Sequence, residues 1–166
     1  AVSVSITKKP QHSLEATARQ LRYEALATFV GEGDALVTAH HQNDQAETLL
    51  LQLMRGAGVP GLSAMPYQKL FADGVHLRPL LNKPRADILA YAKTHNLQWI
   101  DDTSNQDDCF DRNFLRNTIF PALCERREGV ISAMARTAAH MSEAQSLLDD
   151  LAEQDYEQVK TERDDC

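Results

Sequence analysis

Apolar and polar positions change period several times along the chain, and each change marks an element. Val2-Ser3-Val4-Ser5-Ile6 alternates with the two-residue period of a strand and is closed by Lys8-Lys9-Pro10. From Ser13 the spacing turns helical: Leu14, Ala18, Leu21, Tyr23, Leu26 and Phe29 recur at turn intervals until Gly31 and Gly33 stop them. Ala35-Leu36-Val37-Thr38-Ala39 is a nearly continuous apolar run, the pattern of a strand covered on both faces. A second helical pattern starts within a few residues, with Ala46, Leu49, Leu50, Leu53 and Met54 on its buried side, and ends in a glycine-rich turn. Leu49, Leu50 and Leu53 are expected in the core.

Beyond that turn, Val75 to Leu81 is a short apolar segment, a strand or an extended loop, broken by Pro79. Pro84 suits the first turn of a helix from Arg85 to His95, whose Ile88, Leu89, Tyr91 and Ala92 form its apolar side. Trp99-Ile100 leads into the polar loop Asp101 to Asp108, rich in turn formers. Another helix begins at Asp111, placing Arg112 and Arg116 on one face, and Pro121 interrupts it. From Val130 to Val159 a long amphipathic helix or helix pair is expected, followed by a polar tail. Strand, helix, strand, helix is the rhythm of a parallel α/β layer, in which ligands collect at the carboxyl ends of strands. His40 and His41 fall at such an end.

Composition changes this picture little. The 166 residues suffice for one domain with a core, or one domain plus an extension. An apolar fraction of 43% and a charged fraction of 25% are those of an ordinary globular protein, and no apolar run is long enough to span a membrane. Cys109, Cys124 and Cys166 are odd in number and form no C-x-x-C pair. They suggest neither a zinc ribbon nor a disulfide framework, and a reducing cytoplasm is the default. The net charge of −7 lies in the stretch from Glu143 onward; the residues before it balance. The acidity therefore says little against nucleic-acid binding by the rest, and supplies no basic footprint in its favour.

The candidate chemistry gathers where the second strand meets its helix. If that helix has begun by Asn43, Asp44 and Glu47 lie three apart on one face, with His40 at or just before the first turn. Each residue also has a plainer role. A histidine here can cap the helix, Asp44 and Glu47 can complement its positive end, and Arg112 and Arg116 can pair with Asp108 and Asp111 on a solvated surface. His40, His41, Asp44 and Glu47 are metal-ligand types but lack an H-E-x-x-H arrangement, and the Asp101 to Asp108 run lacks the glycine and glutamate of a calcium loop. No metal site is expected from protein ligands.

The series AHHQNDQAET, RGAGVPGLSAM, RPLL, WIDDTSNQD and RNFLRNTIFPAL, in this order and spacing, resembles the tRNA(Ile)-lysidine synthetases of the PP-loop ATP pyrophosphatase family. The resemblance runs from Ser13 to Leu123. It implies an α/β, Rossmann-like adenylation domain, of which residues 1–122 are the C-terminal portion, and a helical extension over residues 123–166. It further implies that ATP with Mg2+ activates C2 of the wobble cytidine in the anticodon loop of tRNA(Ile), and that the amine of free lysine displaces AMP to give lysidine.

On this resemblance His40 assists adenylation, Asp44 and Glu47 bind the lysine ammonium, and Arg112 stabilises phosphate charge. Arg55, Gly56, Gly58, Arg116 and His41 line the nucleotide or tRNA side. The family's S-G-G-x-D-S phosphate loop does not occur in the chain. The expectation is an internal fragment, inactive alone, without the C-terminal tRNA-binding domains of longer members. Two other functions remain open: a tRNA thiolation enzyme of the same class, which often carries paired cysteines, and a non-catalytic nucleotide-binding or assembly module, which the missing loop favours. A homodimer formed through an exposed sheet edge is a further expectation.

Overall fold

Residues 14–100 and 110–164 are described by a computed structural model. The expected strand Val2–Ile6, the Asp101–Asp108 loop, Cys109 and Cys166 lie outside them. The described residues fall into two compact units, one made of residues 14–39 and 67–79, the other of residues 40–66 and the remainder from Leu80.

In the first unit the helical spacing after Ser13 yields α1, Leu14–Ala27. It unwinds through Phe29 and Val30, whose N–H groups still reach back to Leu26 and Ala27, and Gly33 takes the left-handed conformation that releases the chain into β1, Ala35–Val37. β2, Gln68–Phe71, and β3, Gly74–Leu77, form an antiparallel hairpin; β3 is central and pairs in parallel with β1, Leu36 opposite His76, giving the order β1-β3-β2. The α/β expectation holds, but the described sheet is mixed rather than wholly parallel.

β1 is also shorter than expected and is not covered on both faces: Val37 is 59% exposed. Ala35 and Val37 share the exposed face and Leu36 is half-buried on the other, so the run is covered on one side only. The unit's interior is polar. His76 is fully buried against the rings of Tyr23 and Phe71, which also touch each other edge-on. Its Nδ1 faces Arg78 Nη2 at 3.3 Å and its Nε2 faces Thr38 Oγ1 at 2.8 Å. A guanidinium only donates, so Nδ1 accepts and the ring proton sits on Nε2, donated to Thr38. Burial pulls the Arg78 guanidinium below its usual range, with Tyr23 opposing.

The second unit is helical. α2, Gln42–Met54, leads through Gly56, in a left-handed conformation, into the short α3, Val59–Leu62. After α4, Arg85–Thr94, come α5, Asp111–Phe114, a π-helical segment over Leu115–Ile119, α6, Phe120–Arg126, and α7, Val130–Asp164. Ala46, Leu115 and Phe120 are the buried centre, with Leu50, Leu51, Ile119, Ile131 and Met134 packed around them. α7 lies along α2 and α3. The buried Gln45 amide donates to the Met65 carbonyl at 2.9 Å and accepts from its N–H at 3.0 Å, fixing the chain after α3 with both ends of the amide satisfied.

Several expectations are corrected here. Leu53 and Met54 are exposed, because the core reaches along α2 only as far as Leu51. Tyr91, expected on the buried side of α4, is exposed and stacks on His95 with centroids 4.2 Å apart. Pro121 does not interrupt the helix. It stands in the first turn of α6, where a missing N–H costs little, and the irregularity lies upstream in the π-helical segment. α7 continues to Asp164, past Val159. Its last turns expose Leu147, Leu148, Leu151, Tyr156 and Val159.

Candidate functional site

The site is built from the first turns of α2 outward. His41 is the N-cap: its Nδ1 accepts from the Asp44 N–H at 3.4 Å, and Asp44 Oδ2 accepts from the His41 N–H at 2.9 Å, a reciprocal capping box made with an imidazole. His41 Nδ1 also stands 3.4 Å from Asp44 Oδ2, an ion pair only if the ring is protonated. The cap requires the opposite, a bare Nδ1. Burial, the largest influence, holds the His41 pKa below its ordinary value, with Asp44 and Glu47 opposing and Arg85 and Arg116 adding to the lowering. The neutral ring is therefore the resident form.

Two consequences are measurable. His41→Ala should cost about 1 kcal/mol, the usual value of an N-cap, in urea unfolding. Because the folded pKa is the lower one, the unfolded chain binds the proton first as pH falls. His41 then contributes stability that is complete above about pH 6.5 and is lost as pH falls through the folded value. Unfolding free energy measured from neutral pH downward should lose this component of its slope in the variant. An unchanged slope would show that His41 is not the group responsible.

One turn on, Glu47 is buried, 2% exposed, where an unpaired carboxylate would be costly. Arg116 answers it with two hydrogen bonds, Nε to Oε1 and Nη2 to Oε2, each 2.9 Å, and Nη2 also reaches Asp44 Oδ1 at 3.5 Å. The hydrogen bond to Glu47 raises the Arg116 pKa against the effect of burial. Arg112 Nη2 donates to Thr48 Oγ1 at 3.2 Å, and Thr48 in turn donates to the Asp44 carbonyl. Arg112 Nε lies 3.7 Å from Glu47 Oε2, beyond hydrogen-bond reach, and among the described residues it is a buried donor without a hydrogen-bond partner.

The two arginines come from α5 and the π-helical segment, elements that pack beside α2. Their described partners are Glu47, Asp44 and Thr48, not Asp111; Asp108 is outside the described residues. Beside the cluster is a cavity of about 220 Å³ lined by Asn43, Glu47, Arg85, Arg116, Phe120 and Ile131. It joins guanidiniums and a carboxylate to an apolar wall.

Of the residues expected at a site, Asp44, Glu47, Arg112, Arg116 and His41 converge. His40 is half-buried in the link between β1 and the N-cap. Arg55, Gly56 and Gly58 do not join them. They follow the far end of α2, roughly 16 Å along its axis from Asp44 at about 1.5 Å per residue. Thr48, Asn43 and Arg85 were not singled out. Thr48 stands four residues after Asp44, a spacing that places it on the same face, and Asn43 Oδ1 accepts the Arg85 N–H at 3.1 Å.

Residues 2–123 match the family model of the PP-loop domain. The chain belongs to that family. The α/β layer and helical extension of this PP-loop chain agree with the assignment. It is 48% identical over 153 residues, 92% of its length, to a protein of Pseudomonas syringae pv. tomato named tRNA(Ile)-lysidine synthase. Proteins of the same name from Methylococcus capsulatus and Coxiella burnetii are 52% and 45% identical over 87% and 95% of the chain. The chain spans only 34%, 33% and 35% of the lengths of these three relatives. Among the described residues no helix is long and apolar enough to cross a membrane.

Proposed function

We propose that this PP-loop chain is part of an enzyme that uses ATP to ligate lysine to C2 of the wobble cytidine of tRNA(Ile), through an adenylated tRNA intermediate. The observation that carries this reading is the 48% identity to the Pseudomonas syringae synthase over 92% of the chain. The acid–guanidinium cluster supports it, since a reaction joining an amine to a phosphate-activated base needs groups of both signs.

In the second step the neutral lysine amine attacks C2, a C–N bond forms, and the C–O bond to AMP breaks with its electron pair leaving on the phosphate oxygen. The amine, with a pKa of about 10.4 in its ammonium form, must first give up a proton. Asp44 and Glu47 are the acceptors assigned to hold that ammonium. Arg112, whose buried Nε–H makes no hydrogen bond among the described residues, is assigned to the charge on the phosphate, where a planar fork of donors is useful. His40 is assigned to assist adenylation, and His41 serves α2 as its cap. ATP with Mg2+ is the cofactor of this reading. tRNA(Ile) and free lysine are the partners.

The reading is tested by exchanging this chain for the matching segment of the Pseudomonas syringae protein. The expected chimera releases pyrophosphate and AMP only when tRNA(Ile) and lysine are both supplied. Asp44→Asn in that chimera should raise the half-saturating lysine concentration roughly tenfold, the value of one charge-assisted hydrogen bond at about 1.5 kcal/mol. A folded chimera that turns over without lysine would overturn the proposal.

A further inference from the structure

Both carboxylates assigned to the substrate ammonium already hold a cation. One guanidinium, that of Arg116, spans them, with contacts of 2.9 Å to each oxygen of Glu47 and 3.5 Å to Asp44 Oδ1. These are the acceptor atoms a three-donor ammonium would use. Arg112 stands behind at 3.7 Å from Glu47. Two acids facing two guanidiniums leave the cluster without a net charge to attract an amine, and although Glu47 lines the cavity, both of its oxygens are taken by Arg116.

From this we infer that Arg116 is a selectivity residue that occupies the ammonium site itself, and that a bound phosphate-type anion must draw it away before the substrate amine can enter. The inference rests on the assignment of Asp44 and Glu47 to lysine. Its physical basis is competition between one internal cation and one external cation for the same oxygens.

Three features let the exchange occur. The Arg116 side chain is 32% exposed and lines the cavity, so it is not sealed in. It shares that cavity with Arg85, where two cations favour an anion. The buried Arg112 Nε–H, 3.7 Å from Glu47 Oε2, is a second donor that makes no hydrogen bond among the described residues. Arg116 also sits on the π-helical segment, a geometry common at functional positions because it displaces a side chain from its α-helical direction. An anion that takes Arg116 and Arg112 leaves Asp44 and Glu47 with their negative charge uncovered. The order follows: phosphate chemistry first, amine second, so that free lysine does not fill the site before there is an activated base to attack.

The test is lysine binding to this chain by calorimetry or by NMR shifts of labelled protein, with inorganic pyrophosphate as the anion probe. Saturating pyrophosphate should tighten lysine binding about tenfold, and by linkage lysine should tighten pyrophosphate binding by the same factor. Arg116→Gln should bind lysine about tenfold more tightly without pyrophosphate and gain nothing further from it, while Arg116→Lys should behave like the unaltered chain.

Lysine affinity that is measurable but indifferent to both pyrophosphate and Arg116→Gln would overturn the inference and leave the lysine assignment standing. Absence of lysine binding in every chain, with or without pyrophosphate, would overturn the assignment and the inference with it. If Arg116→Gln fails to fold, the pyrophosphate series on the unaltered chain decides alone.

Discussion

Glu47→Ala is expected to lower the unfolding free energy by about 2–4 kcal/mol, between the value of exposed ion pairs, below about 1, and that of fully buried ones, about 3–5. The substitution removes a carboxylate that takes two hydrogen bonds from Arg116 and faces Arg112. It leaves two guanidiniums around an emptied buried space, Arg116 with only Asp44 and Arg112 with only Thr48 among their described partners. Glu47→Gln keeps an acceptor and should lose less. The double variant Glu47→Ala with Arg116→Met removes both charges and should recover much of the loss, because an absent pair costs less than half a pair. Urea titration separates these cases: midpoints should fall and partly recover with the slope unchanged. A loss below about 0.5 kcal/mol for Glu47→Ala would mean that solvent reaches the carboxylate and the pair is an ordinary surface contact.

Gly74→Val is the second large effect, expected to cost 3 kcal/mol or more, a rough figure at the upper end of overpacking. A Cβ built at Gly74 would lie 2.4 Å from the Asp34 carbonyl oxygen and 2.8 Å from that of Gly31. Those oxygens cannot swing aside. The Asp34 carbonyl accepts the Val75 N–H and the Gly31 carbonyl accepts the Asp34 N–H, each at 3.1 Å, so relief means breaking the entry to β1 and its pairing with β3. Gly74→Ala should show most of the same loss, because the clash begins at the first carbon. Loss of the near-ultraviolet signal of Tyr23 and Phe71, which sit in this unit, would report it. A variant that melts like the unaltered chain would mean that β1 and β3 have room to separate.

How much of this was legible in the sequence depended on whether the deciding interaction was local. α1, α2, α4 and α7 were readable because apolar residues recur at turn spacing within each. The convergence of Asp44 and Glu47 followed from a three-residue step on one helix. The plainer reading of a strand-end histidine, that it caps a helix, describes His41.

β3 falls largely within the expected Val75–Leu81 segment, but its partner β2 was missed: Gln68 and Lys69 interrupt any alternation, and the Asp73-Gly74 pair is shifted by one, Gly74 already pairing with Phe71 while Ala72 takes the positive φ of 49°. The exposure of Val37 was missed because an apolar run reports composition and not which faces of the sheet other elements cover. The pairing of Glu47 with Arg116 joins residues 69 apart, so no local spacing rule reaches it. The π-helical segment that aims Arg116 is likewise absent from any local pattern. The family resemblance brought these residues into one list, and the fold determines which of them touch.

The capping box at His41 has a consequence for tolerance to insertion and deletion. It fixes where α2 begins, and Glu47 follows it within the next two turns. Each residue added or removed between them would rotate Glu47 by about 100° around the helix axis, away from Arg116 and toward other packing surfaces. The spacing between cap and carboxylate is therefore as restrictive as their chemistry, and a frame-preserving change of one codon in this short stretch should be more damaging than most substitutions within it.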